Sequence, residues 1–280
     1  LIEKFRAKAT KASMVQSLIK KLDKIERIEV DSEENQVIKL SFPVALQPGK
    51  IILEAVDISK KYSHHRVLNQ ISLQVDRGEK IAFVGQNGQG KSTLAKILVN
   101  EIEFEGHLKI GHNVKIGYFA QDQSTKLDPH LTSLETLEKT STTENRTRIR
   151  DLLGAFLFQG DAVDKKAQVL SGGERNRLAL CALLTQPFNV LIMDEPTNHL
   201  DIVSKKILKE ALIKFEGTLI LVSHDRDFLE GLCEKVIEFK DEKIKPYLGG
   251  IEDFLSYREM DSLNQLDKKK KNKVLSKNVS

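Results

Sequence analysis

The sequence predicts an α/β fold with a parallel-sheet core, and three observations carry that prediction. From about residue 51 onward, short β-branched and apolar runs alternate with helical patterns, the order of strands joined by helices. Two of the runs, VLIMD (190–194) and TLILVS (218–223), are apolar enough to suit parallel strands buried on both faces. A glycine-rich segment, GQNGQGKST (85–93), lies between the strand-like IAFV and the helix-like TLAKILVN, the context that a phosphate-binding loop requires.

Length and composition bound the rest. The 280 residues fit one large domain or two small ones. Hydrophobic residues make up 40%, enough for a buried core, whereas 30% charged residues require some elements to be solvated over most of their surface. Lys and Arg number 44 against 40 Asp and Glu, a formal charge of +4. Cys181 and Cys233 cannot form a four-cysteine zinc site, and a chain of this length needs no disulfide scaffold. No run approaches the ~18 apolar residues that span a bilayer. The opening LIEKFRAKATK lacks the apolar stretch of a signal peptide. It also lacks an initiator Met, which reads as a piece of a longer protein. The cysteine usage and the lack of a spanning run or signal peptide fit a soluble, reducing, cytoplasmic setting.

The first element expected is an amphipathic helix over residues 1 to about 30, where Val15, Leu18, Leu22, Ile25 and Ile28 line up one apolar stripe. Its other faces are rich in Lys and Arg. Two readings stay open, a solvated helix packed on its own domain and a basic helix facing an anionic partner. DSEENQ (31–36) breaks it, and SFPVALQPGK leads into strand-like IILEAVDI, VLNQISLQV and KIAFVG. Helical patterns follow at 91–99 and near 132–138, 143–157, 174–186, 202–215 and 225–231, with VKIGYFA (114–120), VLIMD and TLILVS as the strands between them. The end reads as a helix running into a lysine-rich tail. That tail is either a solubilising disordered end or a nucleic-acid contact.

Residues 85–93 match G-x-x-x-x-G-K-[ST] with Gly85, Gly90, Lys91 and Ser92. Glycines let the backbone wrap a polyphosphate with its N–H groups inward, and the helix start adds unpaired N–H groups and a positive dipole end. In that chemistry Lys91 reaches the β- and γ-phosphates and Ser92 ligates Mg2+. VLIMDEPTNHLD (190–201) sets Asp194 at the carboxyl end of a strand, where open α/β sheets bind ligands. Asp194 is read as holding Mg2+ and Glu195 as polarising the attacking water. The competing reading makes the loop a helix-capping turn and the acidic pair a cap of the next turn.

LSGGERNRLAL (170–180) resembles the signature motif of the ABC ATPase superfamily. With the phosphate loop, Gln121 in YFAQDQ, DEPTNHLD and VSHDR (222–226), it makes five motifs in that family's order over about 47–250. EPTNHLD, SHDRDFL and LGGIEDFL resemble the ABC-F proteins, soluble chains with two ABC units joined by a charged helical linker. The resemblance implies an ABC-type P-loop NTPase in which a linker helix precedes a parallel-sheet core, an antiparallel β-subdomain and a helical subdomain at about 122–170. Residues 1–46 would be the second part of the linker, 47–250 the second ABC domain, and 251–280 a C-terminal helix and tail.

It also implies roles. Tyr62 matches the aromatic position that stacks on adenine, against the plain alternative of a surface tyrosine beside Lys60 and Lys61. Gly85, Gln86, Asn87, Gly88, Gln89, Gly90, Lys91, Ser92 and Thr93 would hold the phosphates. Gln121, with Ser92 and Asp194, would sense Mg2+, and His224 would hold the γ-phosphate and the attacking water beside Glu195. Ser171, Gly172, Gly173 and Glu174 would meet a nucleotide bound to another ABC unit, with Asn198, Leu200 and Asp201 at that interface. His64, His65, His107, His112 and His130 match no motif and read as surface or structural. Cofactors would be ATP and Mg2+, and the partner either a first ABC domain of the same protein or a second copy in a homodimer. The activity implied is an ATPase, weak in a single unit, within a ribosome-associated translation factor whose basic linker contacts RNA. A transporter nucleotide-binding subunit is a competing reading, although the charged first 30 residues speak against it. A DNA-repair ATPase is another, weakened because the apolar spacing is lost after Asp267.

Overall fold

Two sheets organise the chain from Ile51 onward. The computed structural model describes residue 42, residues 45–141 and residues 149–260, all within the compact unit Lys39–Ser280. The expected helix at 1–30, nearly all of the linker, residues 143–148 of the 143–157 pattern and the lysine-rich tail lie outside the described residues.

The smaller sheet is antiparallel. β1 (Ile51–Tyr62) and β2 (His65–Asp76) form a hairpin closed at Tyr62 and His65, and β4 (Glu105–Ile110) lies on the other side of β1. Along β2, Ile71, Leu73 and Val75 are buried while Ser72 and Gln74 face out, the alternation of a sheet with one wet face.

The larger sheet runs β5 (Ile116–Phe119), β6 (Val190–Asp194), β7 (Thr218–Val222), β3 (Lys80–Gly85), β8 (Lys235–Lys240) and β9 (Lys243–Leu248). All its pairings are parallel except β8–β9. Every residue of β6 and β7 is buried, as their unbroken apolar runs require. Register then decides where the site lies. Asp194 pairs with Val222, and Val222 in turn with Phe83, so the carboxyl ends of β6, β7 and β3 are nearly level. The loops that follow them leave the same edge of the sheet.

Helix α1 (Lys91–Leu98) buries Leu94, Ala95, Ile97 and Leu98. They join one apolar cluster with Ile52, Ile58, Leu68 and Ile71 of the small sheet and with Phe83, Ile192, Ile220 and Val222 of the large one. The small sheet is therefore welded to the large one through the helix that carries the phosphate loop. Two short helices, α2 (Ser133–Thr140) and α3 (Ile149–Ala155), precede α4 (Gly172–Leu184). α5 (Ile202–Lys214), the single turn α6 (Arg226–Leu229) and a helix α7 at residues 251–260 complete the description. Among the described residues no helix is long and apolar enough to cross a membrane.

Three strands were not singled out by the sequence patterns. β4 (EGHLKI) is almost wholly exposed at a sheet edge, so burial imposes no periodicity on it. In β8 (KVIEFK) the buried Glu238 interrupts the apolar run and is paired with Tyr247 Oη at 2.9 Å and Arg258 at 2.8 Å. β9 (KIKPYL) carries Pro246, which only an edge strand accommodates.

Candidate active site

The phosphate loop follows β3 and needs backbone that only glycine supplies easily. Gly85 has φ 146°, and a Cβ there would stand 2.5 Å from the Phe239 carbonyl oxygen. Gly90 has φ 93°, and a Cβ would stand 2.7 Å from Leu68. Gly90 also caps α1 without any side chain over its first N–H groups, which leaves them free for an anion.

Lys91 opens the helix and is only 6% exposed. Its Nζ donates to the carbonyls of Gly85 and Gln86, both at 2.9 Å, so the ammonium lies across the mouth of the loop. Burial lowers its pKa, while the nearby Glu195 and Asp194 carboxylates hold it up. Ser92 donates from Oγ to Asp194 Oδ1 at 3.0 Å, bringing the end of β6 against the start of α1. Asp194 is 1% exposed, and burial raises its pKa against the opposing Ser92 hydrogen bond and the Lys96 and Lys91 charges.

Glu195 follows with φ 50°, a left-handed backbone unusual for glutamate and of the kind that collects at functional sites. Its N–H donates to the Val222 carbonyl at 2.8 Å, which continues the β6–β7 pairing by one residue and aims the side chain. Glu195 Oε1 lies 3.6 Å from His224 Nε2. Burial raises the Glu195 pKa, with Asp194 adding to the shift. Burial and the Lys91 charge lower that of His224, which favours the uncharged imidazole. The loop carrying His224 is held by Asp225, which accepts from the Phe228 N–H at 3.0 Å and is ion-paired with Lys205 of α5.

A hydroxyl and a carboxylate oxygen 3.0 Å apart at the phosphate-loop mouth suit Mg2+, a hard cation. Such an ion takes one or two protein oxygens and fills its octahedron with phosphate and water. Among the described residues no group of three or more His, Cys, Asp or Glu forms a cage that would bind a metal by protein alone.

Lys91, Ser92, Asp194, Glu195 and His224 are thus brought together. The signature segment stands apart. Ser171 and Glu174 form a reciprocal cap on α4, with the Ser171 N–H donating to Glu174 Oε2 at 2.7 Å. Gly172 and Gly173 form its first turn. Asn176 Nδ2 donates to the Asn198 carbonyl at 2.9 Å, and Arg177 pairs with Asp201 at 3.4 Å. Among the described residues no hydrogen bond or ion pair joins Ser171–Glu174 to the phosphate loop. Gln121 is exposed just beyond β5, and Leu200 is half-buried. Tyr62, half-exposed on the small sheet, has the Lys60 ammonium 5.3 Å from its ring centre.

Sequence reasoning passed over one group and one contact near this site. Tyr118 of β5 has a buried hydroxyl with no hydrogen-bond partner among the described residues, and burial together with Asp194 pushes its pKa up. Its position three residues before Gln121 was the available signal. Gln89 belongs to the phosphate loop, yet its side chain accepts from the Asp241 N–H at 3.0 Å. Nothing local in the sequence marks that contact.

Comparison with known proteins adds family relationships. A family model described as "ABC transporter" matches residues 68–198, and a second model with the same description matches residues 1–40. A "Probable ATP-binding protein YheS" of Escherichia coli K12 is 39% identical over 254 residues, covering 90% of this chain and 40% of that protein. "ABC transporter F family member 5" of Arabidopsis thaliana is 38% identical, with 87% and 35% covered. "Putative ATP-binding protein YdiF" of Bacillus subtilis is 35% identical over all of this chain and 44% of that protein. The chain therefore spans less than half the length of these relatives. Among solved structures, a dimeric, post-hydrolysis form of the ATP-binding cassette MJ0796 with ADP and Pi superposes with a TM-score of 0.61. It is 24% identical and covers 70% of this chain and 98% of its own, a likeness of fold.

Proposed function

Since the chain belongs to the ATP-binding cassette family, with F-family members among its relatives, we propose that it binds and hydrolyses MgATP as one half of a two-unit sandwich. The observation that carries this is the meeting of Lys91, Ser92, Asp194, Glu195 and His224 at the level carboxyl edge of β3, β6 and β7. On ATP binding the Lys91 ammonium exchanges the Gly85 and Gln86 carbonyls for phosphate oxygens. Ser92 and Asp194 would hold Mg2+, whose charge would offset that of the phosphates. His224 orients a water, and Glu195 accepts its proton as the water oxygen bonds to the γ-phosphorus and the bond to ADP breaks. A carboxylate with a raised pKa is the better base for this step.

Ser171–Glu174 serve the site of a second unit, either another ABC domain of the same protein or a second copy. Gln121 links that closure to the Mg2+ site, and Tyr62 stacks on adenine. One unit alone then binds MgATP but turns it over slowly. Measured phosphate release per chain should rise with chain concentration; an undiminished, concentration-independent rate would refute the sandwich.

The domain division into linker 1–46, ABC domain 47–250 and C-terminal segment 251–280 belongs to this proposal, as does a cytoplasmic, ribosome-associated role in translation. Support for that role comes from the F-family relatives and from the basic character of residues 1–30 and of the tail, since lysine-rich segments bind phosphate backbones in a salt-dependent way. The test is co-sedimentation with ribosomes of the Glu195→Gln chain within its full-length protein, with and without ATP. Retention that needs ATP supports the role. Equal binding to free DNA, or no ribosome binding, refutes it and leaves the ATPase reading standing.

A further inference from the structure

We infer that Gln89 is a positioning residue that ties the phosphate loop to the β8–β9 turn, and that this tie sets how tightly the loop holds nucleotide. The inference rests on the reading of residues 85–93 as a nucleotide site.

A phosphate loop works by aiming backbone N–H groups at one point, and its glycines make it easy to deform. Here the loop is gripped from behind by one hairpin. At its first residue, the space that a Gly85 Cβ would fill is occupied by the Phe239 carbonyl of β8. At its fifth, Gln89 Oε1 accepts from the N–H of Asp241, 152 residues away in sequence.

The turn that supplies this N–H is itself unusual. Lys240 pairs with Lys243, leaving Asp241 and Glu242 as a two-residue turn with φ 50° and 63°. Hairpins fill such positions with Asn-Gly or Asp-Gly, because left-handed backbone is disfavoured for residues with a larger side chain. Two contacts from outside the hairpin hold the shape. One is Gln89 on Asp241, and the other is the Asn69 N–H donating to the Glu242 carbonyl at 3.0 Å. The hairpin therefore acts as a stiff back plate, and among the described residues Gln89 is the one loop side chain hydrogen-bonded to it. Fixing the loop before nucleotide arrives removes ordering that binding would otherwise have to supply.

The test uses Gln89→Met, which keeps side-chain length and removes the acceptor. A second variant inserts one glycine between Asp241 and Glu242, which moves the donor away and leaves Gln89 intact. Affinity for a fluorescent ADP analogue with Mg2+ is measured together with the melting temperature of the nucleotide-free chain. Each variant is expected to bind roughly three- to tenfold more weakly, the worth of about one hydrogen bond, with little change in melting temperature. The double variant should lose no more than either single one, because both cut the same bond. Unchanged affinity in Gln89→Met, losses that multiply in the double variant, or a loss explained by lower stability of the nucleotide-free chain would each overturn the inference. An unmodified chain that binds no nucleotide would remove the proposed function and this inference with it. Binding by the unmodified chain and by both variants alike would remove the inference alone.

Discussion

Lys91 and Asp194 are two charges almost wholly withdrawn from water, and each is held by a different kind of partner. Lys91 is solvated by loop carbonyls, Asp194 by the Ser92 hydroxyl and by nearby lysines. On the proposed reading this ammonium exchanges the neutral carbonyls for phosphate oxygens, which carry charge. Glu195 has His224, whose pKa is lowered by burial, as its neighbour, and in the proposed reaction it accepts a proton. Glu195→Gln should therefore cut phosphate release by about 10²–10⁴-fold while leaving ATP affinity near that of the unmodified chain, as single-turnover assays and equilibrium binding will show. Gly85→Ala should fail for a different reason. Its Cβ meets the Phe239 carbonyl at a φ that favours glycine, so a loss of about 1–3 kcal/mol is expected in denaturant unfolding.

The helices that carry the motifs are fixed at their starts. α4 begins with the Ser171–Glu174 box and α5 with Asp201, which accepts from the Ser204 N–H and hydroxyl, both at 2.9 Å. Asp201 also pairs with Arg177 of α4, so the segment after Glu195 is pinned to the signature helix at both Asn198 and Asp201. Ser171→Ala should cost about 1 kcal/mol of stability and free the first turn of α4. Hydrogen bonds from Ser171 hold the Glu174 pKa below the ordinary 4.5. A carboxylate lowered on folding stabilises fully above its unfolded value and loses that contribution as pH falls through its folded value. Thermal melts of the parent and of Glu174→Ala should thus differ near neutral pH and converge as the solution is acidified below 4.5. A gap that persisted in acid would assign the effect to packing.

For the molecule as a whole, one core spans both sheets and α1, so damage far from the loop should reach it. Ile192 is fully buried in that cluster, two residues before Asp194. Ile192→Ala should cost about 2–5 kcal/mol, and urea unfolding should remain a single transition if the two sheets share one cooperative core. Separate transitions for the small and large sheets would contradict that. The covered core also explains which elements were legible in advance. β6 and β7 are buried on both faces and announce themselves as VLIMD and TLILVS. β4 and β9 lie at sheet edges, and β8 hides a charge, so none carries a periodic signal.

What the sequence determined by itself is the local chemistry. The spacing of Gly85, Gly90, Lys91 and Ser92 works within one continuous loop, so reading it requires no knowledge of strand order. The same holds for the reciprocal cap of Ser171 and Glu174, three residues apart on one helix turn. Only the tertiary structure decided that Ser92 meets Asp194, that Glu195 stands beside His224 behind a backbone bond to Val222, and that Gln89 reaches the turn at Asp241. Those contacts join residues far apart in the chain. They exist because β3, β6, β7 and β8 are laid side by side in an order that hydrophobic periodicity does not encode, and because their registers bring the strand ends level.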